Sequence, residues 1–361
     1  RMPNGLPTIP EHDNLRATRK NKGGGGDAKL VQPSPKRAKR EQRAQGSMRK
    51  PSRTVRDPIH KDITIPGICW EFIDTLEFQR LRHLKQVGMV HRVYPSAVHT
   101  RFEHSVGVCY LAGVMVDHFI HHQGQELNIS KIDKWCVMLA GLCHDWGHGP
   151  FSHMFDGLFI RQLAPDEDWE HEQASQDMID HCIEKNNIDF AKYGLLEADI
   201  DFVKELIDPP PPEERKGRGV SKSFLYDIVS NKHSGLDVDK FDYFQRDAYF
   251  TGIGSGDYSI NYIIKQCRVR SVDGCLHICF PEKCVKPLLS VFRTRFHLHQ
   301  SVYQHRVVKA YEYMLVDAMK LAHPHLKIRG KSMVECIDDM DAFVRLRDSI
   351  VDLILFQADD P

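Results

Sequence analysis

Apolar positions fall into two regimes along the chain. Residues 1–50 contain no Phe, Trp or Tyr, and "GGGG" at 23–26 and "PSPKRAKREQR" at 33–43 leave no room for a sustained apolar period. From Thr54 the pattern changes. "TVRDPIHKDITIP" joins β-branched residues to turn formers and predicts a short hairpin. From Trp70 onward the period is helical. "WEFIDTLEFQRLRHLKQVG" sets Phe72, Ile73, Leu76, Leu81 and Leu84 near one face. "RFEHSVGVCYLAGVMVDHFIHH" and "KIDKWCVMLAGLCHDWG" predict two more apolar helices. Helical signals return at 171–185, 221–230, 237–247 and 286–320, while strand signals are confined to 54–65 and 268–280. No internal repeat is present. The expected class is mainly α, a helical bundle with minor β-hairpin elements.

Charge sharpens the division. The 361 residues carry no net formal charge, yet residues 1–50 hold 13 Lys or Arg against 4 Asp or Glu, so the remainder is acidic. A segment of that composition cannot bury enough surface to offset its ordering entropy. Residues 1–50 are therefore expected to be a disordered basic tail, and residues 51–361 the folded core. On this reading, deleting 1–50 leaves the melting temperature unchanged. "KRAKR" suits a nuclear import signal or weak binding of single-stranded nucleic acid, and equally a solvated tail. The ten cysteines are irregularly spaced, with no apolar signal segment before them. Cys109, Cys136 and Cys143 fall in apolar helical runs, where cysteine acts as a small hydrophobe. Reduced thiols in the nucleus or cytoplasm follow. Cys275, Cys279 and Cys284 lack a fourth partner at zinc-ribbon spacing. No apolar run is long enough to cross a membrane.

The run "GLCHDWGHGPFSHMFDG" places His144, His148, His153, Asp145 and Asp156 among apolar residues and glycines. Ionisable groups in such surroundings need a partner. Neighbours on a helix point about 100° apart, so His144 and Asp145 grip one ion only from its rim, and other helices must complete the set. His104 in "HTRFEHSVGV" and Asp239 in "GLDVDKFDYFQRD" are the candidates. Imidazole plus carboxylate suits a first-row divalent ion and disfavours calcium. A centre of that kind activates water and polarises a phosphoryl oxygen. His148, four residues after His144, is expected on the same helix face, with Gly149-Pro150 ending that helix and Pro150 opening the next. His153 then returns toward the same cavity.

In His104, His144-Asp145 and Asp239 the chain resembles the HD-domain metal-dependent phosphohydrolases. "DPIH", "FQRLRHLKQ", "RFEHSVGVCYLAG", "AGLCHDWGHGPFSHMFDG", "HEQAS" and "DVDKFDYFQRD" extend the similarity, from about Val55 to the C-terminus, to the vertebrate SAM- and HD-domain deoxynucleoside triphosphate triphosphohydrolases. That resemblance implies a divalent metal (iron, manganese, zinc or magnesium) and a dNTP substrate cleaved to deoxynucleoside and inorganic triphosphate. It implies His171 as the general acid, tuned by a carboxylate such as Asp156. It places Arg101, His148, His153, Lys240 and Arg295 around the triphosphate, and Gln86, Val87, Tyr243, Asp247 and Tyr303 at the sugar. It implies GTP as an activator held by Asp74, Gln79 and Arg82. Two alternatives stand beside it. One is an HD phosphohydrolase acting on another nucleotide or on nucleic-acid ends. The other is a nucleotide- or RNA-binding regulator without turnover.

The chain also departs from the family. Arg56 stands where the family has asparagine, Pro281 and Pro287 replace an arginine and an asparagine near the retained Lys283, and Val87 replaces a leucine. "RDAYFTG" replaces a His-His pair after the catalytic helix. The basic tail occupies the place of a SAM domain, the chain opens on Arg1, and "FQADDP" precedes the family's C-terminal lobe, so a fragment is expected. A homo-oligomer is compatible with these features, whereas the nucleotide-bridged tetramer is not favoured.

Overall fold

The computed structural model describes residues 48–254, 256 and 258–357. The expectation of a disordered tail falls on residues 1–47, outside the described residues. Arg49 and Lys50, assigned above to the tail, pack on the core instead. The Lys50 backbone N–H donates to Tyr193 Oη (2.7 Å), and its Nζ donates to Trp70 O (2.8 Å) and pairs with Asp74 (3.0 Å). Removing Arg49 and Lys50 is expected to lower the melting temperature by roughly 2–4 °C, measured by calorimetry against a chain beginning at Met48. An unchanged value would return both residues to the tail.

The fold is mainly α. Strands β1 (Arg53–Asp57) and β2 (Lys61–Ile65) form one antiparallel hairpin, and β3 (Arg268–Val272) and β4 (Cys275–Cys279) form another. Asp57 closes the first turn by accepting from the backbone N–H groups of Ile59 (2.8 Å) and His60 (2.7 Å). The second turns on Asp273-Gly274, both with positive φ, as a tight hairpin loop requires. Helices α1 (Gly67–Ile73), α2 (Arg101–Leu127), α3 (Lys131–Cys143), α4 (His171–Asn186), α5 (Glu197–Ile207) and α6 (Val238–Thr251) surround the core. They are followed by α7 (Ile260–Gln266), α8 (Val285–Leu298), α9 (Arg306–Ala322) and α10 (Ile350–Gln357). All ten cysteines are free, and no helix is long and apolar enough to cross a membrane among the described residues.

Several elements differ from the sequence reading. The run from Trp70 is not one helix. It breaks at Asp74, because Thr75 Oγ1 caps a new turn by accepting from Phe78 N–H, and this turns Leu76 outward to 63% exposure. The signal at 286–320 divides into α8, a π-helical turn at His299–Tyr303, and α9. The expected placement of His148 on a helix with His144 is also incorrect. Helix α3 stops at Cys143, and Phe151 and Ser152, rather than Pro150, carry the sharp turn in left-handed conformations (φ 58° and 61°). The cause is tertiary. Ser175 Oγ donates to His144 O (2.7 Å) and accepts from Gly147 N–H (2.8 Å), taking groups that a continuing helix would use. Gly147 permits this approach, since a Cβ there would lie 2.0 Å from His171 O.

The 144–152 loop is held from the far end of the chain. The buried Arg80 guanidinium donates to the carbonyls of Leu346 (2.9 Å), Trp146 (3.2 Å) and His148 (2.8 Å). Asp348 accepts from Phe151 N–H and Lys85 N–H, both at 2.8 Å.

Candidate active site

Three elements bring the proposed metal ligands together. A capping box of Thr100 and Glu103 fixes the start of α2, with Arg101 and His104 in its first turn. His144 is the C-terminal cap of α3, with Asp145 next. Asp237 caps α6 by accepting from Lys240 N–H (2.9 Å), which places Asp239 in its first turn. His104 Nε2 lies 3.1 Å from Asp239 Oδ1, 3.3 Å from His144 Nε2 and 3.4 Å from Asp145 Oδ2. His144 Nε2 lies 3.3 Å from Asp239 Oδ1 and 3.5 Å from Asp145 Oδ1. The Nδ1–H of His104 is given to Asp242 (2.8 Å) and that of His144 to Gly141 O (3.0 Å). Both Nε2 lone pairs therefore face each other and two carboxylates. Atoms each about 2.1 Å from a shared ion stand about 3.0–3.4 Å apart, so this donor set fits a divalent ion with nitrogen and oxygen ligands. Electrostatics agree. Burial opposes a charge on His104, yet Asp239, Asp242 and Asp145 raise its pKa to about 10, and a field that favours a proton also favours a metal cation.

Asp242, which the sequence reading did not single out, orients the site. Its carboxylate takes His104 Nδ1–H, His60 Nε2–H (2.7 Å) and a bidentate pair from Arg246 (2.8 and 2.9 Å). Arg246 in turn pairs with Asp57 of the first hairpin (2.9 Å). Gly107 makes this possible, because a Cβ there would meet Asp242 Oδ1 at 2.1 Å. The signal lay in the i,i+4 spacing of Asp242 and Arg246. Asp242→Ala would leave the fully buried Arg246 short of its main partner. The variant is expected to lose about 3–5 kcal/mol of stability by denaturant unfolding, and Asp242→Asn to weaken metal binding about 10–100-fold. A wild-type midpoint for Asp242→Ala would remove the network from any supporting role.

Beside this centre, His148 stacks on His171 with ring centroids 3.8 Å apart. His171, at the start of α4, directs Nδ1–H to Asp156 Oδ2 (3.3 Å) and lies 3.2 Å from Glu172. Although burial opposes it, Asp156 and Glu172 raise the His171 pKa. For His148 burial comes first, reinforced by the charges of Arg101 and His171, and its pKa falls well below the usual imidazole value. Two stacked imidazoles are thus driven apart, one toward the cation and one toward the neutral ring. His153, 74% exposed at its side chain, completes the group at 3.4 Å from Asp156.

These groups open into a cavity of about 580 Å³, a size suited to a nucleotide. Gln86, Val87, Arg101, Lys240, Tyr243, Asp247 and Tyr303 line it. Arg101 Nε donates to Ser152 Oγ (2.8 Å), and its Nη1 pairs with Asp145. Lys240 Nζ pairs with Asp237 (2.8 Å). Asp247 accepts from Tyr303 Oη–H (2.6 Å), on the π-helical turn, and from His99 Nε2–H (2.7 Å), a partner the sequence reading missed. Gln86 Oε1 is buried without a hydrogen-bond partner. Arg295 departs from expectation. It is exposed on α8 and does not line the cavity, although its charge is felt by Lys240 and Tyr243.

The three residues expected to hold GTP do not line this cavity. Asp74 is engaged by Arg53 (3.0 and 3.1 Å) as well as Lys50. Gln79 donates to Ile73 O (2.7 Å) and accepts from Arg82 Nε–H (2.8 Å), while the Arg82 guanidinium lies 3.4 Å over the Phe102 ring.

Residues 101–247 match the family model described as HD domain. The chain is similar to the deoxynucleoside triphosphate triphosphohydrolase SAMHD1 of Bos taurus, 46% identical over 323 residues, covering 85% of this chain and 54% of that protein. The protein of the same name from Danio rerio is 44% identical over 324 residues, covering 85% and 52%. The SAMHD1 homolog of Dictyostelium discoideum is 39% identical over 305 residues, covering 84% and 55%. The chain thus spans about half the length of these curated relatives.

Proposed function

The chain belongs to the HD-domain family, and on that premise we propose that it hydrolyses dNTPs to deoxynucleoside and inorganic triphosphate. The observation that carries this reading is a single cavity uniting a divalent-ion donor set, two oppositely tuned imidazoles and a carboxylate held ready for a sugar hydroxyl. His104, His144, Asp145 and Asp239 would hold the ion. When bound, it supplies Lewis-acid polarisation of the α-phosphoryl oxygen and lowers the pKa of water. His171, protonated and oriented by Asp156, gives its Nε2 proton to the departing 5′-oxygen. Two of the four acceptor positions of Asp247 are taken by Tyr303 and His99, leaving capacity for a 3′-hydroxyl. Gln86 Oε1 offers the same 3′-hydroxyl an alternative acceptor. Tyr243, in the same lining, would exclude a 2′-hydroxyl by packing against C2′ of the sugar.

The cavity lining carries six carboxylates (Asp145, Glu172, Asp237, Asp239, Asp247, Glu312) against three Lys or Arg groups (Arg101, Lys240, Lys309) and the protonated His171. A triphosphate entering that lining meets net repulsion unless divalent charge accompanies it. Binding is therefore strictly dependent on divalent ions in this reading. The deciding measurement is product analysis on a dNTP panel with metal content determined in parallel. Pyrophosphate or orthophosphate as the initial product would overturn it. Reduced cysteines support a nuclear or cytoplasmic setting.

Regulation follows from the departures. Asp74, Gln79 and Arg82 support weak GTP binding to a monomer or dimer. Arg56 is paired with Asp62 (3.2 Å), and Pro281 and Pro287 offer no side-chain donors to a second nucleotide. GTP plus dATP is expected to produce little tetramer in sedimentation and only weak stimulation of turnover. A full shift to tetramer with strong GTP-dependent activity would overturn this.

A further inference from the structure

The imidazole cluster around Asp156 has a second capacity. One ligand atom from each of His148, His153, Asp156 and His171 lies within 4.8 Å of the others. The Nδ1 atoms of His148, His153 and His171 stand 3.9, 3.4 and 3.3 Å from Asp156 Oδ2. Two of these residues carry buried atoms without a hydrogen-bond partner, His148 Nδ1 and Asp156 Oδ1. The first is decisive. His148 is 1% exposed, and its Nε2 faces Asp145 Oδ1 at 3.4 Å. His148 Nδ1 and Asp156 Oδ2 face each other at 3.9 Å, beyond hydrogen-bond reach, and Nδ1 has no other partner. A cation satisfies both.

We propose that His148, His153, His171 and Asp156 form a second metal site, separate from the His104–His144–Asp239 centre and selective for zinc-like divalent ions. Three imidazoles and one carboxylate match the ligand preference of Zn²⁺ or Co²⁺ and leave Mg²⁺ and Ca²⁺ poorly served. Binding displaces the Nδ1 protons of His153 and His171 to solvent, and no other bond changes. The site itself does not depend on the proposed reaction. Its consequence does: an ion on His171 withdraws the imidazole that would protonate the leaving oxygen, so an excess of zinc stops turnover.

The test counts metal on the intact chain after dialysis against Zn²⁺ or Co²⁺, by mass spectrometry and by the visible absorption of tetrahedral cobalt. Two equivalents are expected. His153→Ala should keep one and weaken the other at least about ten-fold. The 74% exposure of the His153 side chain means that this change leaves the core intact. Asp239→Ala should lose the His104-centred ion and keep the second. Asp156→Asn provides a check independent of His153. A single equivalent in the unaltered chain, or a second equivalent that survives in both His153→Ala and Asp156→Asn, overturns the proposal. Two bound equivalents with turnover intact would uphold the site and overturn the acid role of His171 instead.

Discussion

Asp239→Ala is expected to lose the ion held by His104 and His144 and, with it, turnover by about 10³-fold or more. The magnitude corresponds to several kcal/mol of charge stabilisation at phosphorus. Among the described residues, the Asp239 carboxylate is the one carboxylate within 3.3 Å of both Nε2 atoms, and it is held ionised by them, its pKa pulled well down despite burial. Without it, two imidazoles and Asp145 remain, and Asp145 is already shared with Arg101 and His148. Metal content and turnover should therefore fall together. An ion retained at full occupancy on His104 and His144, established by cobalt spectra of the variant, would remove Asp239 from the centre.

His171→Ala is expected to lower kcat by about 10²–10⁴-fold while metal binding at the His104 centre is unchanged. A pH profile separates this from simple damage. An acid catalyst works only while protonated, and Asp156 and Glu172 raise the His171 pKa, so the alkaline limb of kcat should lie above the ordinary imidazole range. Asp156→Asn removes the largest of the contributions that raise it. The limb should then move to lower pH, with the acid-side rate preserved better than in His171→Ala. A limb that stays in place in Asp156→Asn would assign the proton to another group.

The convergence of His104, His144, Asp145 and Asp239 was legible because helix starts and ends carry strong local signals: "HTRFEH" opens α2, and Asp237 caps α6. The hairpins were legible for the same reason. What local pattern could not supply was tertiary capture. Ser175 lies 31 residues from His144, yet it ends the helix that periodicity would continue to His148. Thr75 likewise outcompetes an apolar run and exposes Leu76. Helix α5 was overlooked although Ile200, Val203, Leu206 and Ile207 carry its period, so there the signal was present. His99 is different, since it serves Asp247 from a distant segment and no spacing announces that, whereas the i,i+4 spacing of Asp242 and Arg246 marked their pair but not its reach to His104. Arg295 was placed by resemblance, and its helix face turns it to solvent.

The clasp formed by Arg80, Leu346 and Asp348 has a consequence for the order of events during synthesis. All four residues of the His104 centre have left the ribosome once Asp239 has, but the loop between them is not yet fastened. Phe151 waits 197 residues for the carboxylate of Asp348, roughly 10–40 s at ordinary elongation rates. Until then Arg80 lacks the Leu346 carbonyl, and the loop bearing His148 is tethered at one side only. Metal capture during that interval would meet ligands without their final spacing. Ion loading is thereby tied to synthesis of the 346–348 segment, and a nascent chain stalled before Leu346 should bind cobalt without the tight spectral signature of a chain that extends past Asp348.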